Sequence, residues 1–246
     1  MRDLQLLLQH LFHPAWQRWV RFDISGLEHL PAHGPGVVAF NHRSYADFFV
    51  LAQLVRRGGR PLRMLAKKEL FDVPLVGAIC NGMGGIPVDR AAPGDAPYAA
   101  AVAALQRGDL VGLMPQGTIP RGAAFFDPVL VGKPGVVRMA QATGAPVIPV
   151  GIWGTEVLWP RSAKVPNLAN VTDPPVVTIR VGPPVELEYD SLEADTERIM
   201  AAIMRLLPPS AREEYEPTDE ELRLATPGGH LVPDADHEAE RRPGVD

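Results

Sequence analysis

Residues 41 to 47 read NHRSYAD, and the apolar run FFVLAQLV follows at once. A histidine with an acid five positions on is a pairing suited to acid–base chemistry. A carboxylate bonded to one imidazole nitrogen fixes the tautomer and stabilises the imidazolium formed when the other nitrogen takes a proton. The same stretch also spells helix initiation: Ser44 is a good N-cap, and Asp47 three residues on completes an S-x-x-D capping box. Capping accounts for Ser44 and Asp47 but leaves Asn41 and His42 unexplained. Asp47 therefore serves the histidine, the helix cap, or both.

Two more polar clusters carry residue types that handle anions. Asp89 and Arg90 close the run IPVDR. They read either as a surface ion pair or as a strand end whose guanidinium fork clamps a phosphate. The stretch PQGTIPRG, residues 115–122, offers Gln116, Gly117, the Thr118 hydroxyl, exposed backbone N–H groups and Arg121. Such a loop cradles an anion or is an ordinary turn. Lys133 is a weaker candidate for the same anion. His10 and His13 lie three apart with no acid or cysteine partner, so no metal site is expected there. Cys80 reads as a small apolar side chain.

These clusters need a scaffold that brings strand ends together. Short apolar runs, GVVAF (36–40), PLRMLA (61–66), GGIPVD (84–89), LVGLMP (110–115), APVIPVGIW (145–153) and PVVTIRVG (175–182), predict strands, with FDISGLE (22–28) a modest one before them. Helices are predicted over 45–56, 73–80, 96–108, 134–144 and 192–207. PGVVRMAQATG carries proline at its start and glycine at its close, the expected punctuation of a helix. Alternating strands and helices predict an α/β fold, a single domain with a mixed, largely parallel sheet flanked by helices. Loops at the carboxyl ends of such strands commonly line the cleft.

At 246 residues the chain holds one sizeable core, or at most two small ones. No apolar run reaches the roughly 18 residues of a spanning helix. The opening MRDLQLLLQHLF carries Asp3 and lacks a small-residue cleavage site, which makes a poor secretory signal. A single cysteine excludes an internal disulfide framework. The expected domain scheme is an amphipathic two-helix segment over 1–21, a body over 22–208 and an acidic, disordered tail over 209–246. Leu4, Leu7, Leu8 and Leu11 share one helical face before Pro14, and Trp16 and Trp19 beside Arg18 and Arg21 suit a head-group layer. Eleven acids and four bases give the tail a charge of −7 within a chain total of −5. Residues 56–68 hold six basic side chains and no acid, which reads as a solvated surface or as attraction to anionic lipid.

Taken in order, NHRSYAD, GGIPVDR, MPQGTIPRG and VIPVGIWG resemble the four blocks of the glycerolipid acyltransferase family, best known from the 1-acylglycerol-3-phosphate acyltransferases. Asn41, His42 and Asp47 match the first block, N-H-x-x-x-x-D. Gly84 or Gly85 through Arg90 match the second, and Pro149 is the central proline of the fourth. The resemblance covers roughly residues 20 to 185. It departs in the third block, where Gln116 stands for the usual glutamate and Ile119 for the usual arginine.

The resemblance implies transfer of a fatty acyl group from acyl-coenzyme A or acyl-carrier protein to the free hydroxyl of 1-acylglycerol-3-phosphate. In that reading His42 is the general base and Asp47 orients it. Asn41, Arg90, Gln116, Gly117, Thr118 and Arg121 meet the substrate. No cofactor, metal or nucleic acid is called for, and the protein is expected to sit peripherally on the cytoplasmic face of an anionic membrane. The two departures leave open another lyso-phospholipid or glycolipid acceptor. A non-catalytic lipid-binding module and a thioester or lysophospholipid hydrolase are the remaining readings.

Overall fold

The computed structural model describes residues 17–82, 84–89, 96–168 and 171–231. The expected N-terminal helix pair falls almost wholly outside them, and so does Arg90. Seven strands form one sheet in the order β1-β7-β6-β2-β5-β3-β4. In chain order they are β1 (Arg21–Ser25), β2 (Gly36–Phe40), β3 (Leu62–Lys67), β4 (Ile86–Val88), β5 (Leu110–Leu113), β6 (Val147–Trp153) and β7 (Val176–Val181). All neighbouring pairs are parallel except β6 with β7. The sheet is thus mixed and largely parallel, as the alternating runs predict.

The central strand β2 is buried along its whole length. Its period of two sends Val38 and Phe40 into one apolar cluster and Val37 and Ala39 into another, so helices must cover both faces. They are α1 (Asp47–Gly58), α2 (Lys68–Asp72), α3 (Pro74–Gly82), α4 (Ala96–Gln106), α5 (Gly135–Thr143), α6 (Thr155–Leu158), α7 (Leu192–Leu206) and α8 (Asp219–Leu224). Because β2, β5, β6, β3 and β4 run in one direction, their carboxyl ends share an edge. Asn41, Gln116 and Asp89 all follow strands on that edge.

The tail departs from expectation. Residues 209–231 hold α8 between two 3-10 turns. A capping box explains the helix: Thr218 accepts the Glu221 N–H, and Glu221 accepts the Thr218 N–H. Residues 232–246 lie outside the described part. The basic stretch 56–68 is also less uniform than its composition suggests. Arg60 donates to the Gly34 and Gly108 carbonyls, Arg63 pairs with Asp109 at 2.6 Å, and Lys68 pairs with Asp89 at 3.0 Å.

Candidate active site

The turn from β2 into α1 carries the histidine. His42 Nδ1 lies 2.8 Å from Asp47 Oδ2. An ionised carboxylate only accepts, so Nδ1 carries the proton and Nε2 keeps its lone pair in the neutral ring. Asp47 is fully buried, and the same Oδ2 accepts the backbone N–H of Arg43 at 2.7 Å and of Ser44 at 2.9 Å. Three donors on one oxygen pin the carboxylate, while Oδ1 is buried without a partner.

The capping expectation is half realised. The N-cap of α1 is Ala46, with no side-chain cap, rather than Ser44. Ser44 Oγ accepts the Ala46 N–H at 3.0 Å and donates to the Trp159 carbonyl at 2.7 Å. Only the Asp47-to-Ser44 half of the box forms, because the chain makes one turn between Ser44 and the helix. Asp47 thus serves both the histidine and the helix entry.

Two residues expected on substrate also hold the scaffold. Asn41, 1% exposed, donates from Nδ2 to the Ile152 carbonyl at 2.8 Å and accepts the Ile152 N–H at 2.7 Å. Its amide locks the end of β2 to β6. Gln116 accepts the His42 backbone N–H on Oε1 at 2.7 Å, tying the third block to the first across neighbouring strands. A glutamate oxygen would take the same bond, so the substitution preserves this contact.

Gly117 has φ +74°, a left-handed turn that disfavours any side chain. Gly117, Thr118 and Arg121 follow Gln116 in the same loop, half-buried. Ile119, where the resemblance leads one to expect arginine, is only 2% exposed and packs with Phe125 and Ala225. Its side chain is core of a small satellite cluster. Lys133 is exposed, and its backbone N–H bonds the Pro115 carbonyl at 2.9 Å.

Arg43 escaped the sequence reading, since an arginine inside NHRSYAD carries no distinguishing spacing. Its guanidinium lies between the Phe125 and Trp153 rings, 4.2 and 3.9 Å from their centroids. Glu156 accepts from it at 3.0 and 3.1 Å. This stack walls a cleft of about 340 Å³ that Asn41, His42 and Gln116 also line. Gly117, Thr118 and Arg121 are not among its lining residues. Among the described residues no helix is long and apolar enough to cross a membrane.

The arrangement is a carboxylate-oriented histidine beside a cleft, at the edge of an α/β sheet. The fold is that of the 1-acyl-sn-glycerophosphate acyltransferase PlsC from Thermotoga maritima: the TM-score is 0.64 at 24% identity, over 81% of this chain and 77% of that one. A Bacillus subtilis 1-acyl-sn-glycerol-3-phosphate acyltransferase is 33% identical over 129 residues, 52% of this chain and 60% of its own. An uncharacterised Mycobacterium tuberculosis protein is 30% identical over 173 residues, 67% of this chain. The chain spans about half the length of that relative, 46%. Residues 21–153 match the family described as Acyltransferase. That match runs from the first residue of β1 to the last of β6, and the chain belongs to the acyltransferase family.

Proposed function

We propose that the protein is an O-acyltransferase that esterifies the free hydroxyl of a lyso-phospholipid, with 1-acylglycerol-3-phosphate the first acceptor to test. The observation that carries the reading is the 2.8 Å contact between His42 Nδ1 and a buried carboxylate pinned by two backbone N–H groups. His42 Nε2 takes the hydroxyl proton as the acceptor oxygen attacks the thioester carbonyl. The tetrahedral intermediate collapses with loss of the C–S bond, and the departing sulfur takes the proton back from the imidazolium. An ester and a free thiol result, with acyl-coenzyme A or acyl-carrier protein as donor. General base catalysis of this kind is worth about 10²- to 10⁴-fold. Named relatives that act on 1-acylglycerol-3-phosphate support the acceptor class.

A second acceptor is favoured by one observation. Ile119 is buried and apolar where the resemblance has arginine, so position 119 supplies no cation to a phosphate. Thr118, Arg121 and Arg90 are the proposed anion contacts, and a lyso-lipid with a larger head group is the alternative. The substrate also implies peripheral seating on the cytoplasmic face of an anionic membrane.

The test uses purified protein in lipid micelles with palmitoyl- or oleoyl-coenzyme A or acyl-carrier protein. Lysophosphatidic acid or lysophosphatidylglycerol is offered, and thiol release and lipid product are followed together. Phosphatidic acid formed by wild type and lost in His42→Ala is the expected result. Thiol release without acylated lipid would mean hydrolysis, and product with only the second acceptor would reassign the head group.

A further inference from the structure

The residues after 208 lie outside the family match, yet they build one wall of the cleft beside His42. Three contacts seat them. Ala225, 3% exposed, packs with Ile119 and Phe125. The Leu224 carbonyl accepts the Ser162 N–H at 3.1 Å, and the Tyr215 ring meets Phe126 at 5.8 Å. The Glu221 carboxylate that closes the capping box also accepts the Tyr215 hydroxyl at 2.9 Å, which joins the ring to the helix.

Most of the charged side chains of this cleft are engaged within the protein, although Glu156 Oε2 is buried without a partner. Arg43 is bound by Glu156, Arg161 donates to the Tyr45 hydroxyl, and Glu221 holds Thr218 and Tyr215. Asp127 accepts the Val129 N–H at 2.8 Å. Beside Asn41, His42, Gln116 and Ser210, most of the remaining lining is apolar and includes Phe125, Phe126, Leu130, Met204, Leu207 and Leu224. A ligand here gains chiefly by burying hydrocarbon. A volume of about 340 Å³ stands at the low end of the roughly 300–1,000 Å³ usual for ligand pockets.

We propose that residues 209–225 determine chain length in this protein: seated on Ile119 and Phe125, they close the cleft beside His42 into a short apolar chamber that takes a single fatty chain. The inference rests on the acyl-transfer reading and deepens it. The chain belongs to the thioester donor or to the lyso-lipid acceptor, which present the same hydrocarbon.

Two variants test it in opposite directions, and neither touches His42 or Asp47. Ala211→Trp fills the chamber, and Leu224→Ala enlarges it. Both are first checked for wild-type thermal melting; Leu224 is 48% exposed, so its truncation leaves the fold intact. Binding of cis-parinaric acid, read by fluorescence, needs no turnover. Each methylene excluded costs about fourfold in affinity, the ~0.8 kcal/mol per buried methylene converted. Ala211→Trp should therefore bind the probe at least tenfold more weakly. Turnover is then followed with donors from octanoyl to stearoyl on one acceptor, and with acceptors of varied chain on one donor. A shift toward shorter chains in Ala211→Trp and longer ones in Leu224→Ala supports the proposal, and the series that shifts identifies which substrate enters. If wild type turns over nothing but binds the probe in a way Ala211→Trp abolishes, the chamber stands and the transfer reading falls. Unaltered probe affinity and unaltered chain profiles in both variants overturn the inference, whatever wild type catalyses.

Discussion

Asp47→Asn separates the two duties of the carboxylate. Oδ2 accepts three N–H groups, from His42, Arg43 and Ser44, whereas Oδ1 has no partner. An asparagine with its oxygen at the Oδ2 position keeps all three bonds and therefore the histidine tautomer. The opposite orientation would aim an NH₂ group at two backbone donors and is excluded. The amide nitrogen then occupies the unpartnered Oδ1 position, and its buried donors cost about 1–3 kcal/mol. For a chain of this size that is a Tm lower by roughly 2–4 °C per kcal/mol.

What disappears is the negative charge facing the imidazolium of the transition state. The expected effect is a kcat lower by about 10²- to 10⁴-fold, as for loss of a general base. KM should hold, because Asp47 is fully buried and cannot touch substrate. Asp47→Ala is the contrast: it leaves two backbone N–H groups unmatched and should melt well below the asparagine variant. Steady-state kinetics on lysophosphatidic acid with thermal melts measure both. A folded Asp47→Asn enzyme within a few-fold of wild-type kcat would refute the oriented-base reading and leave Asp47 a purely structural residue.

Three further outcomes are expected. Asn41→Ala strands the Ile152 N–H and carbonyl, at about 1–3 kcal/mol for each buried group left unpaired, and the folded fraction should lose kcat through a displaced His42; urea melts and kinetics measure it. Gln116→Glu keeps the bond to the His42 N–H and restores the glutamate usual in the resemblance, so melting and KM for lysophosphatidic acid should both change little, as melts and kinetics measure. Burial opposes ionisation of Asp195, but the Glu188 and Tyr189 N–H groups and Arg198 outweigh it and hold the carboxyl below the usual range. The unfolded chain then binds the extra proton. The stability from Asp195 is present above the unfolded pKa of about 3.9 and is lost as pH falls through the lower folded value. Melts of wild type and Asp195→Asn across that acid window should converge at its lower end; parallel curves would remove Asp195 from the acid transition.

Much of the scaffold is written locally. GVVAF becomes β2 residue for residue, and the helix expected over 192–207 forms as α7 over Leu192–Leu206, because periodicity and punctuation act over neighbouring positions. The His42–Asp47 pair is legible for the same reason, as both sit on one turn. Long-range bonds are not. Nothing near Asn41 announces that its amide is spent on Ile152, 111 residues away. The Arg43 stack needs Phe125 and Trp153 from two other elements. The acidic composition after Pro209 masks a local signal, T-x-x-E at Thr218 and Glu221, and the apolar seat for Ala225 is built by Ile119 from the far side of the sheet sequence.

These long-range bonds also explain how the chain can keep His42 in place while losing charge around it. Asn41, Gln116 and the N–H-binding oxygen of Asp47 all hold backbone, so the position of His42 is fixed from β6, β5 and α1 at once. None of these contacts requires a cation at residue 119. Once Ile119 is released from any polar duty, its burial against Ala225 becomes a gain of apolar area, and the C-terminal segment acquires a seat on the cleft wall. His42 and the proposed chamber wall are therefore held by different bonds. A change in the wall should move substrate preference and leave the proton-transfer step alone.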